Sequence, residues 1–155
     1  MKSAPARIVI VSSRAHFRPK RLDFAALRRP TRTRTTFAEY SVSKLANVLH
    51  GRGLAARLEG TGVTTYSVHP GAVASDIWRK VPAPLRFLAK LFMRSNEEGA
   101  RTTVYCATAP ELAGVSGRYY ADCRERTASA MARDDALVAE LWRESLQMVG
   151  LGEAR

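Results

Sequence analysis

The segment from Ile8 to His69 constrains the fold more than any other. It opens on a continuous β-branched run, Ile8 to Val11, closed by Ser12 and Ser13. A short apolar run with no polar alternation predicts a strand buried on both faces, as in a parallel sheet. A helical pattern follows from Ala38 to Glu59, with Leu45, Val48, Leu49, Arg52, Ala55 and Ala56 on one face. Gly60 and Gly62 supply the stop. Val63 to His69, VTTYSVH, then alternates and is rich in β-branched residues, which predicts a second strand ended by Pro70 and Gly71. Strand, long crossover helix and strand make a right-handed βαβ unit.

The rest of the chain extends that pattern. Residues 81–93 form a short amphipathic piece with Arg86 and Lys90 on its polar side. Ser95 and Glu98 fit a capping box for a helix running to about Thr108, stopped by Pro110. GRYYAD, Gly117 to Asp122, predicts a third strand. Asp134 and Asp135 favour the first turn of a last helix, with Val138, Leu141, Trp142 and Ser145 facing inward and Gly150 at its end. Trp142 and Met148 read as core. The order β, α, β, α, β, α is an α/β sheet of about three parallel strands plus helices. Parallel sheets need cover on both faces and neighbours at their edges. The pattern therefore predicts the C-terminal half of a doubly wound domain.

The net charge of +11 raises the expectation of an anionic partner: nucleic acid, an acidic membrane face or a phosphorylated cofactor. Much of it falls in residues 14–36, which lack periodicity and read as a long Arg-rich surface loop with one short turn near Phe24 to Leu27. Arg14, Arg18, Lys20, Arg21, Arg28, Arg29, Arg32 and Arg34 stand there against the single acid Asp23. No aromatic interleaving or recognition-helix pattern accompanies them, so no specific nucleic acid is expected. Cys106 and Cys123 form no CxxC and no metal-ligand pair, so no metal is expected and both read as idle thiols of a reducing compartment. The first residues lack the apolar run of a signal peptide, and no window spans a bilayer. These features lead us to expect an intracellular chain, soluble as it stands.

Tyr40 and Lys44 carry the clearest chemistry. At i and i+4 they share a helix face. An ammonium close to a phenol favours the phenolate, which makes such a tyrosine a workable acid/base near neutrality. A hydroxyl beside it, such as Ser13 at the end of the neighbouring strand, would hold a carbonyl oxygen where negative charge develops.

In context these residues resemble the short-chain dehydrogenase/reductase family, and within it the retinol dehydrogenase-like branch. The likeness is carried, in order, by SAPARIVIVSSRAH, YSVSKLANVLH, GTGVTTYSVHPGAVASDIWR, EEGARTTVYCA, GVSGRYYADC and LWRESLQMVGL. It covers nearly the whole chain outside the Arg-rich loop. It implies a Rossmann-type sheet and an NAD(P)-dependent oxidoreductase that interconverts an alcohol and a carbonyl. The substrate implied is retinol/retinal or a similarly apolar molecule. The resemblance gives Ser13 the substrate-orienting role, Tyr40 the acid/base role, and Lys44 the contact to the nicotinamide ribose. Pro70 and Gly71 match the turn beside the nicotinamide, and Val73 and Ser75 the positions that hold its carboxamide. Ser12 is assigned to packing at the strand end. The cofactor is NADP or NAD, with NADP favoured.

Three parts of the family pattern are missing from these 155 residues: the glycine-rich TGxxxGxG loop, the Asn-Asn-Ala-Gly strand end and the catalytic asparagine. The expectation is a single partial domain over 1–155 that lacks the N-terminal cofactor half. Two other readings stay open. The chain could be a catalytically inactive fragment that binds a partner, or a basic module for anionic surfaces. LRFLAKLFMR resembles the family's substrate-covering segment, and shallow insertion into a membrane surface is a further reading of it. A membrane-associated parent, in endoplasmic reticulum or mitochondrion, would suit an apolar substrate.

Overall fold

The structure, a computed structural model, describes residues 5–30, 36–71 and 95–151. Strand β1 (Ala6–Val11) pairs in parallel with β2 (Val63–His69), and β2 pairs in parallel with β3 (Arg118–Ala121). These are the three expected strands in the expected sense. A fourth, β4 (Arg124–Arg126), turns back antiparallel to β3, so the order is β1-β2-β3-β4. The sequence reading stopped at Asp122 and missed it, because Arg-Glu-Arg is exposed throughout and holds no apolar residue. The turn itself is tight: Asp122 and Cys123 have φ of 53° and 54°, the left-handed pair of a two-residue hairpin.

The helices are α1 (Phe24–Leu27), α2 (Phe37–Arg57), α3 (Asn96–Thr108) and α4 (Asp135–Met148). Ser95 and Glu98 form the anticipated capping box on α3. The Asp134 carboxylate caps α4 by accepting from the N–H groups of Ala136 and Leu137. Helices α2 and α4 cover one face of the sheet, burying Leu45, Val48, Leu49 and Leu141 with Tyr119. Helix α3 covers the other, where Tyr66, Val68, Tyr120 and Cys106 pack. Tyr119 and Tyr120 are adjacent in β3 yet belong to opposite cores, as strand alternation requires.

The sheet is thus buried on both faces at β2 and β3, but not at β1. Ile8 and Val11 are 37% and 46% exposed, against the expectation of a fully buried run. Among the described residues β1 pairs with β2 alone, and its other edge is open. Two core assignments also change. Met148, at the end of α4, is 44% exposed, and Ala56 faces solvent. Trp142 is half-buried, stacked at 7° on His50 and covered by the Arg57 guanidinium 3.8 Å from its ring centre. Arg52, assigned to the inner face of α2, spans both environments. It donates to the Ala132 carbonyl and to the Asp135 carboxylate, at 2.9 and 2.8 Å.

The Arg-rich stretch is not all surface loop. Arg14–Phe17 forms a 3-10 turn that buries Ala15 and His16. His16 Nε2 accepts from the Ser129 N–H at 3.2 Å, so Nδ1 carries the proton and donates to the Ser13 carbonyl at 2.7 Å. Its ring meets Phe17 and Tyr119 edge-on or tilted, at 4.1 and 4.6 Å between centres. The sequence reading missed it because eight cations around one histidine hide a buried residue. Arg32 and Arg34 lie outside the described residues.

Close approach of α2 to the sheet depends on Gly51. The Thr65 hydroxyl donates to the Gly51 carbonyl at 2.7 Å inside the core. A Cβ at Gly51 would stand 2.6 Å from Ser67 Oγ. Alanine would gain ~1 kcal/mol of helix propensity but would force a shift of the kind that costs ~1–3 kcal/mol. We expect Gly51→Ala to lower the thermal midpoint and Gly51→Ala with Ser67→Ala to recover much of it. A Gly51→Ala protein as stable as the parent would contradict this packing.

Burial lowers the His16 pKa, outweighing the pull of the Ser13 carbonyl. The unfolded chain therefore takes up the proton first. Stability is full above the unfolded value of about 6.5 and falls as pH drops from there toward the lower folded value. Urea unfolding between about pH 7.5 and 5 should show this loss, and His16→Gln should flatten it.

Candidate active site

The three parallel strands finish at one edge of the sheet, with Val11, His69 and Ala121 as their last residues. Ligands of open α/β sheets bind at this edge. Ser12 and Ser13 leave β1 there, Pro70 and Gly71 leave β2 there, and α2 begins after a return loop. The Ser12 N–H donates to the Val68 carbonyl at 2.7 Å, which carries the β1–β2 register one step further. The Ser12–Ser13 and Pro70–Gly71 pairs therefore leave the sheet side by side. Gly71 has φ of 90°, a conformation that favours glycine.

Tyr40 stands in the first turn of α2 and Lys44 one turn later. Their spacing puts the Lys44 ammonium 5.4 Å from the centre of the Tyr40 ring. The Phe37 ring lies 5.9 Å from that of Tyr40, and the Arg18 guanidinium stands 4.8 Å over Phe37. Tyr40 and Phe37 thus form a pair of rings flanked by one cation at each end, Arg18 beside Phe37 and Lys44 beside Tyr40. Its hydroxyl bonds to no other described residue.

Several bonds join α2 to the end of β1. The buried Ser12 hydroxyl donates to the Lys44 carbonyl at 2.7 Å. Asn47 Nδ2 donates to the Val11 carbonyl at 2.9 Å, and the Lys44 ammonium reaches the same oxygen at 3.4 Å. Ser12 serves packing, as the sequence assigned. Ser13 is half-buried, and its hydroxyl accepts from the Ala15 N–H at 3.2 Å, capping the 3-10 turn.

The structure therefore brings Tyr40, Lys44 and the end of β1 together. Ser13, Pro70 and Gly71 share the same edge, but no described hydrogen bond links the Ser13 hydroxyl to Tyr40. Val73, Ser75 and the LRFLAKLFMR segment lie outside the described residues. Sequence reasoning passed over Asn47 and His16. Asn47 lies three residues after Lys44 on the same helix face, beside the buried Val48, and a polar side chain there was the available signal. For His16 the signal was Ser13, a residue type that caps turns, three positions before it.

Among the described residues no cluster of histidine, cysteine and acidic side chains could hold a metal ion. Cys106 is buried and its thiol is pushed up to about 12 by desolvation, which keeps it unreactive. No described helix is long and apolar enough to cross a membrane.

No family model matches the chain. Curated proteins match almost all of it. The chain is 46% identical to a dehydrogenase/reductase SDR family member 13 from Bos taurus, over 97% of its own length and 41% of that protein. It is 43% identical to retinol dehydrogenase 12 from Mus musculus, over 97% of its length and 48% of the relative. Against retinol dehydrogenase 14 from Homo sapiens the identity is 41%, over 96% and 46%. The chain thus spans less than half the length of these relatives. Among solved structures, an uncharacterised protein from Mycobacterium paratuberculosis superimposes with a TM-score of 0.66 at 26% identity, over 95% of this chain and 51% of the other. By sequence and by sheet architecture, the chain belongs to the short-chain dehydrogenase/reductase family, on its retinol dehydrogenase-like branch.

Proposed function

We propose that these residues form the proton-transfer half of an oxidoreductase that interconverts an alcohol and a carbonyl with NADP or NAD. The observation that carries this reading is the Lys44 ammonium held 5.4 Å from the Tyr40 ring at the C-terminal edge of the sheet. Tyr40 gives its phenolic proton to the carbonyl oxygen in reduction and takes it back in oxidation. Lys44 keeps positive charge beside the phenol, so that the anionic form left after transfer is stabilised. Ser13 orients the substrate oxygen with its hydroxyl.

The described residues fit one end of a nicotinamide nucleotide. Lys44 offers ammonium donors for ribose hydroxyls, and Gly71 offers a backbone surface with no side chain. Tyr40, Lys44, Pro70 and Gly71 would hold that end, with Val73 and Ser75 proposed for its carboxamide. The group supplies hydride exchange at the substrate carbon. No glycine-rich turn opens a helix among the described residues, so the pyrophosphate seat is expected from beyond them.

An apolar alcohol or aldehyde of the retinoid kind suits the exposed Phe37 ring beside Tyr40. Contact with a membrane surface would suit such a substrate. A second reading is favoured by the chain's share of its relatives' length, 41% to 48%. It holds that the 155 residues are catalytically inactive alone and act, if at all, by binding a partner protein.

Both readings meet one experiment. The chain is assayed for retinal reduction by itself and as a replacement for the matching segment of retinol dehydrogenase 12. We expect activity in the replacement protein and a loss of about 10²- to 10⁴-fold in kcat for Tyr40→Phe, with a smaller loss for Lys44→Ala. Near-normal turnover by Tyr40→Phe would overturn the mechanism. Micromolar nicotinamide-cofactor binding and turnover by residues 1–155 alone would overturn the second reading.

A further inference from the structure

We infer that His16 is the positioning residue for Ser13. The inference rests on the substrate-orienting role proposed above for Ser13, and it is carried by the geometry of the imidazole. His16 is fully buried, and both ring nitrogens are committed to backbone. Nε2 accepts from the Ser129 N–H at 3.2 Å, 113 residues away in the chain. Nδ1 donates to the Ser13 carbonyl at 2.7 Å, and the His16 backbone N–H donates to that same oxygen at 3.1 Å. One histidine therefore fixes the peptide of Ser13 twice.

Neither nitrogen is left to meet a reactant, so His16 takes no part in proton transfer. Its action is mechanical. The Ser129 segment that receives it is itself anchored. The Ser129 hydroxyl accepts from the Ala132 N–H at 3.2 Å, and Arg133 Nε donates to the Ala128 carbonyl. Arg52 of α2 donates to the Ala132 carbonyl at 2.9 Å. The helix that carries Tyr40 and Lys44, and the turn that carries Ser13, are thus tied to one short segment, residues 128–133. Phe17 and Tyr119 pack on the imidazole and hold the ring in plane between its two partners. Without His16, Ser13 keeps only its own turn and its link to Ser12 to set its distance from Tyr40.

The test is a double-mutant cycle in the replacement protein. His16→Phe keeps a ring in the core and removes both hydrogen bonds. His16→Asn keeps a donor where Nδ1 stands. We expect His16→Phe to cut kcat by about 10- to 100-fold with KM moved much less, and His16→Asn to restore most of it. In a Ser13→Ala background, His16→Phe should cost less than about twofold further, because the group it positions is gone. If Ser13→Ala is slow and the two losses multiply, His16 acts on the fold at large and the inference fails. If Ser13→Ala turns over normally, the serine's own role fails and the inference with it. If His16→Phe does not fold, His16→Asn decides alone: kcat near that of Ser13→Ala would overturn the inference, and kcat near the parent's would support it.

Discussion

The site depends on how the end of β1 is fastened to helix α2. The Val11 carbonyl is the last of its strand and would otherwise face open space. It takes the Asn47 amide at 2.9 Å and the Lys44 ammonium at 3.4 Å. One residue on, the Ser12 hydroxyl returns a bond to the Lys44 carbonyl. A strand end and a helix are joined through the residue whose charge the chemistry needs. Gly51 lets the same helix lie close enough to the sheet for these bonds to form, because a single methyl there would strike Ser67. Packing and electrostatics therefore set one distance, that between the Lys44 ammonium and the Tyr40 ring.

The strong basicity of the chain takes on a different meaning in this structure. Several arginines serve packing and are not simply solvated charge. Arg52 ties α2 to the segment before α4, Arg57 covers Trp142, and Arg28 pairs with Glu144 at 2.9 Å. Arg7 donates to the Cys106 carbonyl and stands over the Tyr66 ring. Arg18 stands over Phe37 next to the site. Stems and planar guanidinium groups that cover apolar surface reconcile a net charge of +11 with an ordinary α/β core.

How far the sequence could be read follows from what each residue depends on. The βαβ unit was legible because the Ile8–Val11 run, the α2 stripe and VTTYSVH are local patterns with fixed periods. The capping box of Ser95 and Glu98 was legible because a cap acts within one turn, whereas Asp134, read as a first-turn acid, stands one position earlier as the N-cap of α4. The residues that escaped depend on distant partners. His16 needs Ser129, 113 positions away, and nothing in a cationic loop signals that pairing. β4 escaped because its pairing is carried by backbone and its side chains are all exposed. The exposure of Val11 and Ile8 was misread because a continuous apolar run does not say whether a strand has neighbours on both edges. Of the site, the Tyr40–Lys44 spacing was written in the helix period, whereas the fastening by Ser12 and Asn47 arises only when helix and strand meet.

A crystal structure of the replacement protein with a nicotinamide cofactor and an apolar aldehyde would test the account most directly. The account predicts the aldehyde oxygen within about 2.6–3.2 Å of both the Tyr40 and the Ser13 hydroxyls, with the Lys44 ammonium on the side of the ribose. An aldehyde oxygen bound away from Tyr40, with the Ser13 hydroxyl still turned to the Ala15 N–H, would contradict it.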